Sequence, residues 1–112
     1  MKNLKTIDIN AKEWFDKVNG NSYFAGTVVV NYNLKDEKTF LMPLQYGYCY
    51  QYEYEAKKLL TEFNIISTEY SQNIFTYCDD NGIEINSNKQ TRCLKRELKQ
   101  IEKDYNNKQT KK

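Results

Sequence analysis

Histidine is absent from this chain, and with it go the usual general base, the usual activator of a nucleophile and the commonest zinc ligand. The four glycines, Gly20, Gly26, Gly47 and Gly82, stand apart from one another, so no glycine-rich phosphate loop is present. Cys49, Cys78 and Cys93 are odd in number, widely spaced and free of any CxxC pair, which argues against a disulfide framework and against a zinc knuckle. Three reduced, partly buried thiols are expected. The carboxylate pairs Glu53 with Glu55 and Asp79 with Asp80 are too close in sequence to form a tuned acid–base couple. These absences point away from an enzyme, and neither a cofactor nor a metal is expected. No apolar run approaches the roughly 20 residues of a membrane span, and the N-terminal MKNLKTIDIN is charged and lacks the apolar centre of a secretory signal. A soluble cytoplasmic chain with no membrane contact is the resulting expectation.

What is present is a folding composition: 39% apolar and 14% aromatic residues in 112, with ten tyrosines. This length suits one domain with a real core. The net charge of +2 conceals a split. Residues 1–88 hold 8 Lys against 12 acidic residues, a balance of −4, whereas residues 89–112 hold 9 basic against 3 acidic, a balance of +6. A basic C-terminal segment suits a polyanionic or acidic partner, although a solvated lysine-rich helix has the same composition.

Along the chain, LKTIDI at 4–9 gives a weak strand signal. In NAKEWFDKVNG at 10–20, Asn10 and Glu13 can form a capping box, and Ala11, Trp14, Phe15 and Val18 fall at helical spacing with Gly20 as a terminator. The competing reading takes Asn19-Gly20 as a hairpin turn between two strands. The adjacency of Trp14 and Phe15 breaks strand alternation and favours the helix, with Trp14 in the core. SYFAGTVVVNY at 22–32 is a strand, NLKDEK turns the chain, and 39–44 returns as a strand with Pro43 at an edge or end. Tyr52, Ala56, Leu59, Leu60 and Phe63 form the stripe of a central amphipathic helix over about 51–63. Residues 73–78 read as a strand that turns through Asp79-Asp80-Asn81-Gly82 into IEIN, a second hairpin. Leu94, Leu98, Ile101 and Tyr105 mark the core side of a C-terminal helix over about 90–105. The expected fold is α+β: a small antiparallel sheet of four or five strands with two hairpins, in one domain over 1–105. Residues 106–112 are expected to be a basic disordered tail.

Two stretches could bind a partner. QYGYCYQYEYEAKK at 45–58 places a tyrosine at every second position, but the helical stripe claims Tyr52 and turns Tyr54 away from it. Tyr46, Gly47 and Tyr48, with Tyr50 at the junction, then form the loop from the Pro43 strand into the helix. Gly47 is expected to supply a backbone angle that other residues resist. Such loops bind ligands, and their tyrosines serve equally as caps on a core that reach water with their hydroxyls. The other stretch is the basic helix, where Arg92, Lys95, Arg96, Lys99 and Lys103 occupy the flank and outer face. No nucleic-acid motif accompanies them, and Glu97, Glu102 and Asp104 dilute their charge.

Trp14, Phe15, Gly20, Asn21, Tyr23, Tyr46, Gly47 and Tyr48 match a combined pattern: a Trp-Phe pair, a Gly-Asn-x-Tyr turn and a Tyr-Gly-Tyr-Gly loop before a helix. In this the first 60 or so residues resemble a family of small tailed-bacteriophage proteins that has no assigned activity. Cys49 stands where that loop has its second glycine. The resemblance implies a phage accessory protein in the cytoplasm of an infected bacterial host. Such proteins commonly bind and block a host enzyme or an immune complex such as a CRISPR effector, or sequester a signalling nucleotide. The leading expectation is a stoichiometric inhibitor of a host protein or complex that uses the tyrosine-rich loop. The alternatives are a nucleic-acid or nucleotide binder using the basic helix, and a virion component that forms homo-oligomers.

Overall fold

Ile7, Ile9 and Ala11 are buried at every second position, and this alternation makes the first segment a long strand, β1 (Thr6–Asp16). The computed structural model describes residues 3–67 and 72–110. The helix expected over 10–20 does not form. Trp14 and Phe15 sit on opposite faces of a sheet that carries helices on both sides, so adjacent apolar residues are compatible with a strand. Gly20, at φ +70°, closes a four-residue loop over 17–20, where Asp16 accepts hydrogen bonds from the Val18 and Asn19 backbone N–H groups and from Asn19 Nδ2. Those bonds, the Asn19 side chain foremost, hold the Asp16 carboxyl below its usual range.

The chain returns as β2 (Asn21–Val30) and again as β3 (Lys38–Tyr46), both antiparallel to their predecessors. Helix α1 (Gln51–Glu62) and the short α2 (Ile74–Asp80) cross one face of the sheet before β4 (Glu84–Gln90) pairs parallel to β1. The strand order is β3-β2-β1-β4, so the fold is α+β with a small mixed sheet. The hairpin expected across 73–86 is replaced by a helix and a parallel strand. Asn73 caps α2 by accepting from Thr76 N–H at 2.8 Å, Ile74 and Cys78 bury one side a turn apart, and Gly82 ends the turn at φ +66°. Helix α3 (Lys95–Thr110) covers the other face of the sheet and reaches five residues past the expected end at 105. The tail expected to be disordered from 106 is therefore helical to Thr110, and residues 111–112 lie outside the described part.

Two cores result. The larger joins Ile7, Ile9, Val28 and Val30 to Tyr52, Ala56 and Leu60 of α1 and to Ile74 and Cys78 of α2. The smaller lies under α3, where Ala25, Cys93 and Leu98 are buried and Trp14, Tyr23, Leu44 and Ile101 pack around them. A β-bulge sets Ala25 opposite both Pro43 and Leu44 on edge strand β3. It reverses the faces of β3: Phe40 and Met42 serve the larger core, Leu44 the smaller one. The β2–β3 loop is held by Asn31, a buried residue at φ +52° that accepts from Lys5 N–H at 2.7 Å and donates to Asn3 O and Asp36 Oδ1. Among the described residues no helix is long and apolar enough to cross a membrane.

Candidate functional site

Strand register brings three aromatic residues into one line. Trp14 on β1 pairs with Tyr23 on β2, which pairs with Tyr46 on β3. The Trp14 and Tyr23 rings stack at 5.4 Å, Tyr23 meets Tyr46 edge-on at 5.9 Å, and Tyr48 extends the line edge-on to Tyr46 at 6.4 Å. The post-bulge phase of β3 places Tyr46 on this face. The row begins half-buried beneath α3 and ends in the open, where Tyr46 and Tyr48 are 59% and 60% exposed. At its covered end the Lys95 ammonium lies 5.3 Å from the centre of the Trp14 ring.

The loop after the row is held tightly. Gly47 donates its N–H to Ser22 O at 3.0 Å and is buried against Phe24. Its φ is not positive: the residue is required because a Cβ would stand 2.6 Å from Phe24 Cε1. The strained angle expected at Gly47 belongs to Cys49, at φ +53°, and the Cys49 carbonyl accepts a 2.6 Å hydrogen bond from Lys89 Nζ. Lys89 also pairs with Glu13 at 2.9 Å in a largely shielded ion pair and lies over the Tyr52 ring. Next to it, the Tyr52 hydroxyl lies 2.8 Å from the Ser87 hydroxyl, and Glu53 Oε2 lies 2.6 Å from Ser87 and 3.1 Å from Tyr52, a triangle in which the two hydroxyl protons serve two of the three contacts at a time. Burial, reinforced by the Glu53 charge, pushes the Tyr52 hydroxyl above its ordinary 10.0.

The residues expected to act together are thus divided. Tyr46 and Tyr48 belong to the aromatic row, with Gly47 beneath them. Tyr50 is 74% exposed and lines a separate groove of about 410 Å³ between α1 and α2, beside Tyr54 and Phe75. Of the basic residues, Arg92 precedes α3 in a left-handed conformation, and Arg96, Lys99 and Lys103 are exposed on the helix. Lys95 alone of the five reaches the aromatic row. Leu94, expected to face the core, is half-exposed, and its N–H is bonded by Glu97 at 2.6 Å at the helix start. Trp14, expected in the core, is partly buried at the start of the row. Trp14 and Tyr23 were not sequence candidates. A two-residue turn at Asn19-Gly20 would set Trp14 opposite Ala25; the four-residue loop over 17–20 shifts the register by two residues and pairs Trp14 with Tyr23 instead. Cys78 and Cys93 are buried free thiols and Cys49 is exposed. Among the described residues no group of three Cys, Asp or Glu side chains is placed to hold a metal ion. Comparison with known protein families, with curated proteins and with solved structures finds no match to this chain.

Proposed function

We propose that this chain is a stoichiometric binding protein of the phage accessory kind, which inhibits a host defence complex or another host factor by docking the open end of its aromatic row against it. The observation that carries this reading is the continuous line from Trp14 through Tyr23 to the exposed Tyr46 and Tyr48. Tyrosine offers a large contact area with few torsions to freeze, and rings already held by neighbouring rings lose little further freedom on binding. The clamp of Lys89 on Cys49 and the close seat of Gly47 on Phe24 hold the loop in the same way. A phage-infected host lysate passed over the immobilised protein, followed by identification of the captured protein and titration with it in pure form, tests the proposal. A saturable one-to-one complex that Tyr46→Ala with Tyr48→Ala abolishes supports it; a complex indifferent to both changes removes the row from the account.

A second reading has one observation in its favour. Lys95 joins the basic helix to the aromatic row, and a cation beside rings suits a single-stranded nucleic acid. Binding of that kind weakens steeply with salt and falls when Arg96, Lys99 and Lys103 are reversed in charge. Salt-insensitive binding removes it.

A further inference from the structure

The two faces of the sheet differ in chemistry at the end away from the aromatic row. Towards α1, β1 and β2 present Ile7, Ile9, Ala11, Val28 and Val30; towards α3 the same strands present Trp14, Tyr23 and Ala25 under the helix and then Lys12, Asn10, Thr27, Asp8 and Val29. Strand β4 adds Asn88 opposite Asn10 and Gln90 opposite Lys12, while Thr27 lies opposite Asn10 on the other side. The result is a floor three strands wide in which the polar side chains of Asn10, Lys12, Thr27, Asn88 and Gln90 lie beside Val29. Over this floor the C-terminal half of α3, through Ile101, Tyr105 and Lys108, forms the facing wall of a groove of about 460 Å³. Among the described residues, the side chains of Asn10, Thr27, Asn88 and Gln90 make no hydrogen bond, so a row of donors and acceptors faces the groove unspent.

We propose that this groove binds a mononucleotide. A side-chain amide donates and accepts side by side, which matches the alternating donors and acceptors on a nucleobase edge better than a purely anionic or apolar ligand. Tyr105 stands in the wall to cover a base, and Lys12 and Lys108 flank the groove as phosphate partners. Lys12 is held only loosely, 3.8 Å from Glu97, and Lys108 has no ion pair among the described residues. Asp104, the acidic residue in the wall, is engaged by Gln100 Nε2 at 2.8 Å. The volume falls within the range of about 300–1,000 Å³ common for small-ligand sites. The groove shares no residue with the aromatic row, so this site stands or falls independently of the docking proposal.

The test is a titration of the isotope-labelled full chain with AMP, GMP, CMP and UMP, followed through the side-chain amide signals of Asn10, Asn88 and Gln90, with the parent nucleosides and inorganic phosphate as separate arms. At least one nucleotide is expected to shift those amides saturably below about 1 mM and to bind more tightly than its nucleoside or phosphate alone. Asn88→Ala and Lys108→Ala, both at exposed positions, are each expected to weaken binding about tenfold, the worth of one hydrogen bond or ion contact, with unchanged thermal melting. Tyr46→Ala is expected to leave it unchanged. No saturable shift with any nucleotide, shifts equalled by phosphate alone, equal binding by both groove variants, or a neutral saccharide moving the same amides where nucleotides do not would each overturn the proposal.

Discussion

The Lys95 ammonium lies 5.3 Å from the centre of the Trp14 ring, fixing the first turn of α3 to the covered end of an aromatic row that emerges at Tyr46 and Tyr48. An exposed cation over an indole contributes about 0.5–1 kcal/mol. Lys95→Met keeps the aliphatic stem and removes the charge, so it is expected to lose about that amount in urea denaturation, whereas Lys95→Arg keeps it. Trp14 is the single tryptophan, so its emission reports the same contact directly. Unchanged stability and emission in Lys95→Met would show that the cation does no more than lie near the ring.

Two loop positions should respond in opposite senses. Gly47→Ala drives a Cβ to 2.6 Å from the Phe24 ring, which is buried and has no room to yield, and is expected to cost about 1–3 kcal/mol. Cys49→Gly relieves a left-handed angle at an exposed side chain and is expected to gain up to about 1 kcal/mol. Denaturant midpoints of the two variants, measured beside the parent, check both signs. A gain for Gly47→Ala would mean that the loop repacks instead of resting on Phe24.

Alkaline pH should weaken the fold through two buried groups that hold their protons. Burial pushes the Cys78 thiol up to about 11 from its ordinary 9.0, and Tyr52 is displaced in the same direction. The folded chain therefore keeps protons that the unfolded chain releases. The associated stability is complete below about pH 9 and is lost as pH rises towards 11. Denaturation midpoints should fall across that window and fall less in Cys78→Val. A thiol reagent near neutral pH should modify Cys49 rapidly and leave Cys78 untouched in the folded state. A midpoint that is flat in pH would contradict the burial of Cys78.

Much of the architecture is legible in local pattern. Strand β2 is β-branched and aromatic and the stripe from Tyr52 to Leu60 announces α1, because in each a single period dominates the apolar residues; β3 carries Pro43 on the sheet edge as expected but continues through a bulge to Tyr46. Strand β1 misleads for a tertiary reason. With α1 and α2 on one face and α3 on the other, both sides of the strand carry apolar residues, and Trp14-Phe15 imitates a helical pair. Ile74-Phe75-Thr76-Tyr77-Cys78 is rich in residues that favour strands, and packing against α1 overrides that tendency once Asn73 caps the turn. Nothing local states that β4 pairs in parallel with β1, since that follows from a connection through two helices. The same division governs the site. Tyr46 and Tyr48 stand out by spacing alone, whereas Trp14, Tyr23 and Lys95 join them only through strand register and the position of α3.

The most direct test of the docking proposal is the affinity of the captured host partner for the parent chain and for the Tyr46→Ala, Tyr48→Ala double variant, measured by calorimetry with melting curves of both proteins in hand. Exposed rings at the centre of an interface typically account for 2 kcal/mol or more, so the expected result is a loss of roughly 100-fold in affinity with near-parental melting. An equal affinity for the two proteins would contradict the assignment of the aromatic row as the docking surface.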